Sequence, residues 1–323
     1  MIAKRILIIH PNWLGDVLFS TPFIRAVRNN FTSAYIACLV APRVKEVLQD
    51  NPYINEIITY GEKDLKKYGF DTAFLLHRSF TRALMTYLAG IPNRIGYYTF
   101  KRALLLTQKP KPPDMLSLHR AEFYLELAKV SGLKTDDKGC DFFVGKEDLD
   151  WAITQALGHK TIIFNPGGNW LPKRWPKENF IELGKLILSK FGNAVKIIIT
   201  GSSGDLELAS QINKSLDNKA IILCGKATLK QSAALFKKSD LIISGDSGPL
   251  HIAVAVGAKA IGLFGPTSPK ITGPYKADEK KVIVLYKGIG CKVPCYDEKC
   301  ADYRCMAAIT AQEVFEAAKR LLG

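Results

Sequence analysis

Three short segments bring together residue types that can do chemistry. The first is His10-Pro11-Asn12-Trp13-Leu14-Gly15-Asp16, which follows an apolar run and opens a helix-like stretch. An aspartate at such a turn serves either as a helix cap or as a general base that takes the proton of a hydroxyl within hydrogen-bond reach. The second runs from Asn165 through Gly167, Gly168 and Asn169 to Lys173, Arg174, Trp175 and Pro176. Its glycines let backbone approach a ligand closely, and Lys173 and Arg174 supply fixed positive charge. On its own such a loop also fits a solvated basic surface. The third is Ser244-Gly245-Asp246-Ser247-Gly248-Pro249-Leu250-His251. It reads as a strand end leading into a helix with Pro249 in its first turn, where free N–H groups can cradle a diphosphate. Asp246 suits sugar hydroxyls better than phosphate, because like charges repel. His251 follows Ser247 by four residues and shares its helix face. It is either a ligand contact or a satisfied core histidine.

These segments need elements to hold them. Strand candidates in the first half are 4–10, 34–41, 55–61, 71–77 and 94–98, with helix-like stretches at 16–30 and 79–90. In the second half they are 161–167, 195–201, 220–225, 241–246 and 260–265, with helices at 177–191, 205–216, 229–238 and 249–257. Continuous Ile/Leu/Val strands alternating with helices predict parallel sheets buried on both faces. Two such sets predict an α/β protein of two Rossmann-like domains facing across a cleft. We place the domains at 1–155 and 156–323, with a linking helix just before strand 161–167. The capping box Thr310-Ala311-Gln312-Glu313 opens a last helix expected to pack back on the first domain. Ligands of such sheets bind at the carboxyl ends of strands, which is where all three segments fall.

Composition narrows the classes. With 323 residues, 47% hydrophobic and 23% charged, the chain supports two cores and is not disordered. The run 252–258 is broken by Lys259, well short of the roughly 20 apolar residues of a membrane span. The first residues lack a signal-peptide pattern, so a cytoplasmic setting is expected. Lys and Arg number 45 against 30 Asp and Glu, a formal charge of +15. That excess suits anionic partners, and with no nucleic-acid-binding motif present it points to phosphorylated substrates or an anionic membrane surface. No G-x-G-x-x-G follows the first strand, which disfavours a nicotinamide enzyme. Asp148-Leu149-Asp150 lies in the linking helix and reads as a solvated face, so no metal and no other cofactor is expected. Cys291, Cys295, Cys300 and Cys305 form C-x3-C-x4-C-x4-C, looser than a typical zinc site; reduced thiols, a disulfide and a metal all stay open.

Taken together, Gly245–His251 followed by Gly262–Pro269, Lys173-Arg174-Trp175-Pro176 upstream, and Asn12–Val27 resemble the ADP-heptose:lipopolysaccharide heptosyltransferases, glycosyltransferase family nine with the GT-B fold. Segments 89–97 and 119–128 resemble that family too. Pro294-Cys295-Tyr296 and Cys305-Met306 are similar to its type II branch. The resemblance implies an inverting enzyme that moves heptose from ADP-heptose to the inner core of lipopolysaccharide, in peripheral contact with the cytoplasmic face of the inner membrane. It implies Asp16 as catalytic base and Lys173 as the cation that neutralises the leaving diphosphate. Asn169 would contact phosphate, Asp205 the ribose and Ala227 the base. Asp246, Ser247, Gly248 and His251 would contact donor sugar and phosphate. Arg78, Arg82, Arg94, His119 and Arg120 are candidates for the anionic acceptor, and Lys101 and Arg102 for acceptor or leaflet. A family-nine transferase with another nucleotide-sugar donor, and a non-catalytic nucleotide-binding assembly protein, are the alternatives; Asp16 argues against the second.

Overall fold

The computed structural model describes residues 3–61, 64–156, 160–295, 297, 300 and 302–323. The chain divides into two compact units, Met1–Phe143 and Val144–Gly323. The first contains β1 (Arg5–Ile9), α1 (Leu14–Phe19), α2 (Thr21–Asn30), β2 (Tyr35–Val40), β3 (Glu56–Thr59), β4 (Thr72–Leu75), α3 (Phe80–Leu88), β5 (Asn93–Gly96) and α4 (Arg120–Val130). Its strands are parallel in the order β3-β2-β1-β4-β5. Alternate residues bury opposite faces. Leu7, Ile9, Leu39, Ala73 and Leu75 join one core cluster, while Ile6, Ile8 and Phe74, on the opposite face, are also fully buried. This is why the strands read as unbroken apolar runs.

The single helix expected at 16–30 is two helices meeting at Ser20. The Ser20 hydroxyl donates to the Val17 carbonyl at 2.6 Å and lies 2.8 Å from His10 Nδ1. Pro22 stands in the first turn of α2, where it lacks no bond it could have made. Buried Arg25 of α2 pairs with Asp136 and Asp141, tying that helix to the last loop of the unit.

The second unit contains α5 (Lys146–Ala156), β6 (Lys160–Asn165), α6 (Lys177–Phe191), β7 (Val195–Ile199), α7 (Leu206–Lys214), β8 (Ala220–Ile222), α8 (Leu229–Lys238), β9 (Leu241–Gly245), α9 (Gly248–Ala255), β10 (Ala260–Phe264), α10 (Pro269–Thr272), β11 (Val282–Tyr286), α11 (Arg304–Ala307) and α12 (Ala311–Leu322). Its strands are parallel in the order β11-β10-β9-β6-β7-β8. The sixth strand, β11, is absent from the sequence reading. It is a half-buried edge strand behind the charged stretch 278–281, so its apolar signal is weak. The helix we placed at the end of the first domain, α5, packs on α8 and belongs to the second unit. That moves the boundary from 155 to 143. The capping box at Thr310 and Glu313 forms. The apolar face of α12, with Val314, Phe315, Ala318 and Leu321, packs on α6 and joins the second unit's own core.

In both sheets the strand order reverses beside the first strand of the unit, between β1 and β4 and between β6 and β9. The loops after these strands diverge to opposite faces and leave an opening at the carboxyl ends. Among the described residues no helix is long and apolar enough to cross a membrane.

Candidate functional site

The switch point of the second sheet holds a compact polar cluster. Asp246 directly follows β9, and its residue is only 4% exposed. Its Oδ2 accepts from Lys173 Nζ at 2.8 Å and from the Thr272 hydroxyl at 3.0 Å. Its Oδ1 lies 3.1 Å from His251 Nε2. Burial works against the carboxylate charge, but the hydrogen bond from His251 and the charge of Lys173 prevail and hold it well below the usual carboxylate range. Asp246 was expected to present its oxygens to sugar hydroxyls. Instead it is an inward anchor that fixes one cation, one imidazole and one hydroxyl.

The backbone allows this because Gly245 carries no side chain. A Cβ there would stand 2.7 Å from the Lys173 carbonyl, so only glycine lets the Lys173 turn lie on the end of β9. Trp175 pins the far side of that turn: it is buried, and its indole N–H donates to the Ile309 carbonyl at 2.8 Å. Lys173 also stands over the Trp170 ring, 5.7 Å from its centroid. The Trp170 indole N–H is shielded from solvent and meets no acceptor among the described residues.

Beneath the cluster, Asn165 donates to the Thr200 carbonyl and hydroxyl and accepts from Ser244, whose hydroxyl lies 3.1 Å from that of Ser247. This buried network joins the tips of β6, β7 and β9. Ser247 is the N-cap of α9 but makes no side-chain cap bond, and Gly248 and Pro249 follow it. The first turn of α9 thus directly follows Asp246, the anchor of Lys173, and keeps uncapped backbone N–H groups of the kind that suit an anion. Asn169 is exposed on the glycine loop. Ala227 is half-buried ahead of Thr228, the cap of α8.

Asp205 does not stand as expected. Its carboxylate accepts from the Ser202 N–H and hydroxyl at 2.9 and 2.6 Å and from Arg174 at 3.3 Å. It is buried against Gly167, where a Cβ would fall 2.4 Å from the carboxyl carbon. The side chain locks two loops together rather than offering oxygen to a ribose. Arg174, read as ligand charge, is its partner.

The first unit has its own constellation. Asp16 is not the helix cap; Trp13 is, and Asp16 stands in the first turn of α1. Its Oδ1 accepts from the Tyr124 hydroxyl at 3.3 Å and lies 3.7 Å from Arg120 Nε. Burial and then the Asp16 charge push the Tyr124 phenol well above its ordinary value, so it stays a donor. The spacing of Arg120 and Tyr124 puts both on one face of α4, a signal the sequence carried and we did not use. His119 caps α4 by accepting from the Ala121 N–H and meets Phe19 edge-on at 5.1 Å.

At the switch point of the first sheet, His10 is fully buried and its pKa falls to about 3 by burial. His77 lies 3.2 Å from Asn12, and burial, Arg82 and Arg102 lower its pKa. The Arg82 guanidinium stacks 3.4 Å from the Tyr60 ring centroid. Arg78 is exposed and reaches Met115. Two basic residues read as acceptor contacts are spent inside the fold. Arg94 donates to the carbonyls of Ile91, Pro92 and Leu105. Arg102 is fully buried and donates to those of His77 and Tyr97.

All seven cysteines are free thiols. Cys291, Cys295, Cys300 and Cys305 line one pocket with Gly265 and Pro266. Among the described residues no group of three or more His, Cys, Asp or Glu side chains stands ready to hold a metal ion.

The model of glycosyltransferase family 9 (heptosyltransferase) matches residues 60–301. Lipopolysaccharide heptosyltransferase 2 of Salmonella typhimurium is 28% identical, over 99% of both chains. The structure of ADP-heptose lps heptosyltransferase II from E. coli superposes with a TM-score of 0.83 at 27% identity, covering 99% of this chain and 98% of that one. A glycosyl transferase family 9 structure from Veillonella parvula superposes with a TM-score of 0.88 at 25% identity, covering 99% and 97%.

Proposed function

The chain belongs to glycosyltransferase family 9, the heptosyltransferases, and on that premise we propose that it transfers heptose from ADP-heptose to the inner core of lipopolysaccharide, with inversion, at the cytoplasmic face of the inner membrane. The donor and acceptor classes rest on the names of the Salmonella and E. coli relatives. The observation that carries the reading is the buried Asp246 with Lys173, His251 and Thr272 beside the N-terminus of α9.

Transfer from a nucleotide-sugar builds charge on the departing diphosphate. Lys173, held in place before the donor arrives, and the first N–H groups of α9 stabilise that charge without reorganising. Ser247 and Gly248 line this helix end, and Asn169 reaches the same phosphates from the glycine loop. The sheltered Trp170 N–H gains an acceptor from a phosphate oxygen. Asp246 acts through the residues it positions, His251 and Lys173. Ala227 offers backbone to the adenine. Asp16 takes the proton of the acceptor hydroxyl; Tyr124 and Arg120 orient its carboxylate. One base and one displacement give inversion. Arg78, Arg82 and Arg120 meet the anionic acceptor, and neither metal nor cofactor enters the reaction.

A donor panel tests this reading. Purified protein with a truncated lipopolysaccharide core acceptor should release ADP from ADP-heptose and show kcat/KM at least about tenfold lower with other nucleotide-sugars. Preference for a different donor would leave the family and overturn the substrate.

A further inference from the structure

Between Asp71 and Asp114 the chain has no acidic residue, while Arg78, Arg82, Arg94, Lys101, Arg102, Lys109 and Lys111 all fall there. The fold uses Arg94 and Arg102 on carbonyls, as described above, and leaves Lys101, Lys109 and Lys111 exposed together with Arg78. In the middle of this basic stretch lies a short 3-10 turn, Phe100–Leu105, packed beside α3. Phe100 is 87% exposed and Leu104 93% exposed, the two largest values among the exposed large hydrophobic residues described.

The turn is built to hold them out. Between them, Arg102 points inward and its guanidinium grips the His77 and Tyr97 carbonyls. The Lys109 ammonium donates to the Ala103 carbonyl at 3.1 Å, and the Tyr98 N–H donates to the Pro110 carbonyl at 2.8 Å. The lysine-bearing segment 109–111 is thus drawn alongside the 3-10 turn. Leu116, a further exposed hydrophobic residue, follows Met115, which Arg78 touches.

We propose that Phe100 and Leu104 form an interfacial anchor that inserts into an anionic lipid surface, with Lys101, Lys109 and Lys111 on the headgroups. Exposed apolar side chains on a chain segment that carries exposed lysines and no acidic residue match the two layers such a surface offers: hydrocarbon below, negative charge above. A second copy of this chain fits less well, since a two-fold contact would set lysine against lysine. The proposal deepens the membrane-bound acceptor reading and rests on it only for its purpose, because vesicle binding needs neither donor nor acceptor.

The test is co-sedimentation of the full chain with phosphatidylglycerol/phosphatidylethanolamine vesicles and with phosphatidylcholine vesicles. Binding to the anionic vesicles is expected, weakened by salt. Phe100→Ser with Leu104→Ser should lower the partition coefficient about tenfold or more while turnover on a soluble truncated acceptor stays unchanged. Lys101→Gln with Lys109→Gln and Lys111→Gln should lower anionic binding and flatten its salt dependence. Binding by the apolar variant equal to that of the native chain, no preference for anionic vesicles, or self-association through this face in analytical ultracentrifugation would each overturn the proposal. A chain that binds vesicles as expected yet transfers no heptose would leave the anchor standing and remove the functional reading.

Discussion

Replacing Asp246 by asparagine removes one charge and little volume from the centre of the polar cluster at the end of β9. Removing one member of a buried ion pair costs about 3–5 kcal/mol when its partner is left in a dry interior. Here the Lys173 side chain is 27% exposed and can rehydrate, so we place the loss below that range, at about 2–3 kcal/mol. Turnover should suffer more than folding, because Lys173 would no longer be fixed where charge develops; kcat/KM should fall about 100-fold or more. The pH dependence has a definite sign. A carboxylate held below its unfolded value of about 3.9 contributes stability that is present above that pH and is lost as pH falls through the folded value. The penalty should therefore be full at neutral pH and shrink only below about pH 4. Urea unfolding and ADP release, measured for Asp246→Asn, Lys173→Met and the double variant, complete a cycle. The coupling energy should exceed about 1 kcal/mol, and additivity within about 0.5 kcal/mol would refute the reasoning that the aspartate works through the lysine.

Three further perturbations probe the rest. Asp16→Asn should lower kcat about 100-fold or more with donor affinity little changed, and Tyr124→Phe should lower it by a smaller factor; near-normal turnover of Asp16→Asn, read from ADP release, would reduce Asp16 to a first-turn charge. His10, neutral in the fold with its pKa at about 3 against 6.5 ordinarily, gives stability that is intact above pH 6.5 and declines as pH falls through that window. Its share is about 2 kcal/mol between pH 7 and 5, and denaturant midpoints of the first unit should show a flatter profile in His10→Asn. Activity should persist in excess EDTA, and strict dependence on added Mg²⁺ or Mn²⁺ would show a metal in the reaction.

The two sheets were legible because doubly buried parallel strands write themselves as continuous apolar runs, as in Arg5–Ile9 and Leu241–Gly245. The edge strand Val282–Tyr286 escaped because half-burial and its charged approach dilute that signal. Loop motifs marked candidate residues but not the partners those residues hold. Asp246 meets Lys173 and Thr272 from segments far along the chain, and Asp16 meets Tyr124 from another helix; no local pattern encodes such partners. Charge misled in the same way. Arg94 and Arg102 look like surface cations in sequence, yet backbone carbonyls, which carry no sequence signature, absorb them. Asp205 likewise reads as a ligand contact until Ser202 and Arg174 claim its oxygens.

The central claim is that this chain moves one heptose from ADP-heptose by means of the Lys173 cation and the Asp16 base. The direct measurement is product analysis after incubation with ADP-heptose and lipopolysaccharide core acceptor, for the native chain and for Lys173→Ala. The account predicts one heptosyl unit on the acceptor for each ADP released, with anomeric configuration opposite to that in the donor, and almost no product from the variant. A retained configuration, ADP release without an altered acceptor, or unimpaired transfer by Lys173→Ala would contradict it.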